Sequence, residues 1–180
     1  MKKLSLFFGL LCCCSLLLTF SSCSEDNSTL DENATENVKA LSRAEIIAMK
    51  KNIPAKVEVG GYQLTLNVGL WRDFQPVLTA EQEKNGSPLS CVCNLLDANG
   101  RTVPSSFTFN DIYVFNGDDV WSANCKNETF TSVKAYQSQG VAYGGPTWNT
   151  GISVDVVCEF TYNGKVYQIV SNNNQILRAE

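Results

Sequence analysis

The chain contains no histidine, which removes Ser-His-Asp and Cys-His catalysis and every histidine-ligated metal centre. Chemistry must then come from carboxylates, thiols and aromatic rings. Asp155 and Glu159 share one face of a predicted strand, but four residues at about 3.3 Å each set them about 13 Å apart. Glycosidases need carboxyl groups about 5 to 9.5 Å apart, so this pair does not qualify. Asp118 and Asp119 fall in a predicted turn, where solvation or a weak calcium ion would suit them. Arg72-Asp73 reads as a local ion pair that fixes a loop. Without acid-base machinery the chain reads as a non-enzyme that needs no cofactor.

Eight cysteines shrink when sorted by position. Cys12, Cys13 and Cys14 lie in an apolar N-terminal stretch and Cys23 follows it, leaving Cys91, Cys93, Cys125 and Cys158. Outside the cytoplasm these are candidates for disulfides. Cys158 is expected to bridge to Cys93 or Cys91, because inward side chains on facing strands can meet the required Cα spacing, whereas neighbours i and i+2 on one strand are badly oriented. The alternatives are four reduced core thiols packing as small hydrophobes, or a Cys₄ zinc site, for which Cys-x-Cys is a poor nucleus. No metal is expected. Trp71, Trp121, Tyr143 and Trp148 are the candidate ligand-contacting aromatics. A platform for sugar rings needs two or three of them exposed together, and tryptophan in a small domain otherwise serves the core.

The N-terminus runs Lys2-Lys3, an apolar stretch from Leu4 to Phe20, then Ser21-Ser22-Cys23, which is signal-peptide grammar. Thr19-Phe20-Ser21-Ser22-Cys23 resembles a bacterial lipobox, with Phe20 where leucine is usual. The resemblance implies that residues 1–22 are removed and that Cys23 carries palmitate-type acyl chains. Several chains, at about 0.8 kcal/mol per buried CH₂, anchor a domain to a membrane durably. Residues 23–40 form an acidic, flexible tether, too polar to fold alone. Ser24-Glu25-Asp26 in it resembles the export tag of Bacteroidota lipoproteins carried to the outer face of the outer membrane. Loss of Lys2 and Lys3 makes the remaining chain more acidic than the −4 of the whole. With no basic run, nucleic acid is excluded as a partner.

The elements that must position the candidate residues follow. A short helix is predicted within 41–54, where Ser42 and Glu45 form a capping box and Leu41 and Ile46 a hydrophobic staple. It is expected to be a stalk or lid on one end of the domain. From Lys56 the hydrophobic period is two. Val57, Val59, Tyr62, Leu64, Leu66 and Val68 share one face of a hairpin turning at Gly60-Gly61, and Leu89, Cys91, Cys93 and Leu95 share a face of the next strand. Asn116-Gly117 is expected to turn between Asp111–Phe115 and Val120–Asn124, and Thr129–Tyr136 to be a further strand. Asn163-Gly164 suits a type I′ turn, whose two-residue register pairs Phe160 with Tyr167, Cys158 with Ile169 and Val156 with Ser171. Residues 55–180 therefore read as one antiparallel β-sandwich, all-β in class.

Leu70-Trp71-Arg72-Asp73-Phe74-Gln75-Pro76, Asn116-Gly117-Asp118-Asp119-Val120-Trp121, and Gly145-Pro146-Thr147-Trp148 followed by Val154-Asp155-Val156-Val157 resemble a family of small exported bacterial domains with an Ig-like or fibronectin-like sandwich. The resemblance implies that fold and no activity, and the chain lacks a tyrosine two residues before Cys158, so an antibody-type tyrosine corner is absent. The expectation is an outer-membrane lipoprotein, displayed at the cell surface, that binds an envelope or extracellular protein as an adhesion or assembly module. Glycan capture for a carbohydrate-uptake system is the alternative, and protease inhibition through a Thr79–Ser87 loop is a third.

Overall fold

In the computed structural model, which describes residues 42–75, 85–131 and 133–180, the period-two pattern becomes nine strands preceded by one helix. The helix α1 spans Arg43–Lys50, followed by β1 (Lys56–Val59), β2 (Tyr62–Asp73), β3 (Ser90–Asp97), β4 (Thr108–Asn116), β5 (Asp119–Asn124), β6 (Lys126–Thr129), β7 (Ser138–Ala142), β8 (Ser153–Tyr162) and β9 (Lys165–Ala179). The proposed signal 1–22, Cys23 and the 23–40 tether lie outside the described residues.

The strands make one curled mixed sheet, a half-barrel, in the order β5-β4-β8-β9-β2-β3-β7-β6, with β1 paired to β2. All pairings are antiparallel except β2 with β9, parallel from Leu70↔Ile176 to Asp73↔Ala179. Two features curl the sheet. β9 pairs with β8 as far as Gln175 and with β2 from Ile176 onward, so a single strand turns the corner. At the opposite seam, β5 and β6 stand at the two ends of the strand order yet are separated in sequence only by Cys125. There the Asn127 side-chain amide accepts from Phe109 N and donates to Phe109 O, both at 2.7 Å, acting as a ladder rung where backbone groups would otherwise lack partners.

Leu64, Leu66 and Leu70 of β2, Cys91, Cys93 and Leu95 of β3, Ile112 and Val114 of β4, and Val156, Cys158 and Phe160 of β8 fill the concave interior. Phe107 anchors one end, stacked on Tyr162 at 4.2 Å. Gly140 in β7 is needed by packing, since a Cβ there would lie 2.7 Å from Phe109.

The Asn163-Gly164 turn has φ of 49° and 74°, as type I′ demands, and all three predicted β8–β9 pairs are in register. Elsewhere the structure departs from expectation. The β4–β5 turn is Gly117-Asp118, with Asn116 paired to Asp119 and Gly117 at φ 58°, because glycine suits the first central position of a II′ turn. Beyond Thr129, which ends β6, the described residues as far as Tyr136 form no strand. Phe130 N donates to Gln137 O and Gln137 N to Val103 O, which closes the segment as a loop between β6 and β7.

The helix has its capping box, Ser42 with Glu45, but it caps no end of the domain. It lies on the outer face of the sheet, where Ile46 packs with Phe115, Val157 and Val170. Arg43 holds one end of it to the β4–β5 turn, and Lys50 the other end to Asp155.

Candidate functional site

A cleft of about 590 Å³ opens beside β5. Trp121, Trp148, Pro146 and Val120 form its apolar wall, and Arg43, Asp119 and Ser122 its polar one. Both tryptophans are half-buried, with one part packed on the main core and the rest at the cleft. Two backbone constraints place them. Gly145 lies against the Trp121 indole so closely that a Cβ would sit 2.8 Å from the ring, and Gly145 N donates to Leu89 O at 3.0 Å. Trp148 is held through its own carbonyl by a buried guanidinium.

That guanidinium belongs to Arg72, which is 4% exposed. Its Nη1 donates to Thr147 O at 3.1 Å and Trp148 O at 2.9 Å, its Nε to Ser87 O at 2.9 Å, and its Nη2 to Asn85 O. Burial lowers its pKa from the usual arginine value. The expected Arg72–Asp73 ion pair is absent, because adjacent residues on a strand point to opposite faces. Asp73 Oδ1 instead accepts from Gln75 N at 2.8 Å.

The pinned segment separates two clefts. Pro146 and Trp148 line the first, while Thr147, Asn149 and Thr150 line a second of about 830 Å³ together with Arg72, Phe74, Asn85 and Arg178. Thus the three sequence stretches around Arg72, Trp121 and Trp148 meet at one place.

Of the four candidate aromatics, the structure brings together Trp121 and Trp148. Trp71 does not join them, since it sits between the buried Leu70 and Arg72 on the opposite face of β2. Tyr143 is 54% exposed and lies outside the cleft's lining. The four cysteines are free thiols, and Cys91, Cys93 and Cys158 are buried in the core. The Cys91 and Cys93 sulfurs are 3.9 Å apart, and Cys158 belongs to the same buried core. Among the described residues no three His, Cys, Asp or Glu side chains are grouped to hold a metal. Arg43 donates to the backbone carbonyl of Asp118 and pairs with the Asp119 carboxylate at 2.8 Å. Asp155 accepts from Lys50 and Asn173 N, and Glu159 from Gln168. Residues 79–84 of the predicted inhibitory loop lie outside the described residues.

Arg43, Ser122 and Pro146 were not singled out from sequence. Arg43 reaches the cleft only because the helix lies across the sheet, and no local pattern announces that. Pro146 had a signal, since it precedes Trp148 by two residues and therefore shares its side in an extended segment. No protein-family model matches the chain, and neither does any curated protein or solved structure.

Proposed function

We propose that the chain is a non-enzymatic binding lipoprotein of the cell envelope, anchored through acylated Cys23 and displayed at the surface, whose ligand is a saccharide held by Trp121 and Trp148. The observation that carries this reading is the convergence of two half-buried indoles with Arg43, Asp119 and Ser122 in one open cleft. The C–H faces of a pyranose pack on aromatic rings, and its hydroxyls pair with guanidinium, carboxylate and hydroxyl groups. Among the described residues Asp119 is the single carboxylate of the lining and already faces Arg43, an arrangement suited to holding a sugar rather than cleaving it.

A protein partner in adhesion or assembly is the second reading, favoured by Leu177, 55% exposed beside Trp71 on the outer face. We further place the fold in the Ig-like class. The orders β2-β3-β7-β6 and β5-β4-β8-β9 correspond to strands A-B-E-D and C′-C-F-G of that sandwich.

A glycan array probed with the purified lipoprotein tests the saccharide reading. Retention of a sugar, weakened about tenfold or more by Trp121→Ala and by Trp148→Ala, is expected, since losing an aromatic contact of about 1.4 kcal/mol costs that factor. An array with no retained sugar, or retention indifferent to both substitutions, overturns it.

A further inference from the structure

Arg72 and Arg178 occupy partner positions in the parallel ladder between β2 and β9. Like charges directly opposite on neighbouring strands repel, and among the described residues nothing anionic comes between them. Phe74 does: the Arg72 guanidinium lies 5.1 Å from its ring centroid and that of Arg178 3.9 Å. All four hydrogen bonds of Arg72 go to neutral backbone carbonyls, and among the described residues no carboxylate lines the cleft that the two arginines share.

A buried cation is normally paired, because its desolvation is costly. Arg72 has dipoles and no counter-ion among the described residues, and a second cation stands opposite it. Arg178 is half exposed and gives only its Nε to Glu180, at 2.5 Å, so among the described residues both of its Nη nitrogens stay open to a bidentate grip. That exposed pair with Glu180 contributes little and is easily exchanged. Asn85, Thr147 and Asn149 add polar lining suited to hydroxyls.

We infer that this cleft is a second subsite, one that takes a carboxylate, and that the saccharide recognised by the domain is acidic, of the uronate class. The carboxylate lies against the Arg178 guanidinium, in the field of Arg72, and relieves the repulsion between them. The uronate assignment rests on the saccharide reading of the tryptophan cleft; the carboxylate subsite does not. Because the segment dividing the clefts carries Trp148 toward one and Thr147 and Asn149 toward the other, one ligand chain with both apolar ring faces and carboxylates satisfies both sides.

Calorimetric titration of the full lipoprotein with oligogalacturonate and alginate-type oligouronates, each beside its carboxyl-reduced neutral counterpart, tests this. The acidic forms should bind about tenfold tighter at low salt, a preference that Arg178→Gln erases and Arg178→Lys partly keeps. Equal affinity for acidic and neutral forms, with binding still dependent on Trp121 and Trp148, overturns the inference and leaves the saccharide reading in place. Acid binding lost in Arg178→Gln but indifferent to Trp121→Ala and Trp148→Ala keeps the carboxylate subsite and removes that reading. No binding of either form overturns both.

Discussion

Arg72→Leu is the substitution that tests how the site is built. The guanidinium ties β2 to Ser87 and Asn85 on one side and to Thr147 and Trp148 on the other through four bonds to carbonyls. Hydrogen bonds to charged groups are worth about 1.5–3 kcal/mol each, which would total about 6–12 kcal/mol if all were lost cleanly. Two effects reduce this. Removing a buried charge recovers its desolvation cost, and carbonyls at the cleft edge regain water. A net loss of about 3 kcal/mol follows, a large fraction of the 5–15 kcal/mol typical of a domain and about 10 °C in Tm at this size. Arg72→Lys should lose about half as much, since an ammonium lacks the fork that reaches acceptors on both sides. Urea denaturation followed by tryptophan fluorescence reads both variants, and Trp148 emission should move to the red in Arg72→Leu before global unfolding. A stability loss under about 1 kcal/mol, or a lysine variant equal to wild type, would show that the carbonyls find other partners and that Arg72 does not hold the segment.

Three further outcomes are expected. Gly145→Ala places a methyl 2.8 Å from the Trp121 ring, so overpacking of about 1–3 kcal/mol should accompany a shifted Trp121 emission; unchanged stability and emission would contradict the contact. Hydrogen bonds from the Arg101 side chain, then from the Gln63 and Arg101 backbone, hold the Asp97 carboxyl well below the usual carboxylate range. Its contribution is therefore present above about pH 4 and fades as pH falls toward the folded-state value, so Asp97→Asn should flatten the acid limb of a stability profile, and a limb parallel to wild type would refute this. Cys158 shares the buried interior with Cys91 and Cys93, whose sulfurs are 3.9 Å apart on one strand, so oxidative refolding in a glutathione buffer should link Cys158 to Cys93 or Cys91; peptide mapping that finds a bridge through Cys125, or between Cys91 and Cys93, contradicts that.

Strand faces were legible wherever one side of a strand meets the core. In β2, Leu64, Leu66 and Leu70 alternate with outward residues, and in β3 Cys91, Cys93 and Leu95 do the same, so the period alone sorts them. The curl was not legible, because it depends on exceptions to local rules. Within β9 Asn173 adopts φ 59° and its backbone N donates to Asp155 Oδ1, where the β8 register slips between Val154 and Val156. This bulge re-aims the strand and lets it continue to β2. Thr129–Tyr136 shows the converse failure: it alternates like a strand, but the backbone partners it would need are taken up closing the loop onto Val103.

The site was half legible for the same reason. Trp121 and Trp148 could be picked out by residue type, but their meeting depends on Gly145 accepting an indole against its backbone and on Arg72 reaching Thr147 and Trp148 across 75 and 76 residues of sequence. The strand period separates Arg72 from Asp73. If Leu64, Leu66 and Leu70 face inward, Arg72 faces inward with them and Asp73 cannot follow. An arginine at an inward position must be buried, and a buried cation needs several acceptors at once. The inward parity of Arg72 is therefore the sign in the sequence that this end of the sheet collects backbone carbonyls into a built site.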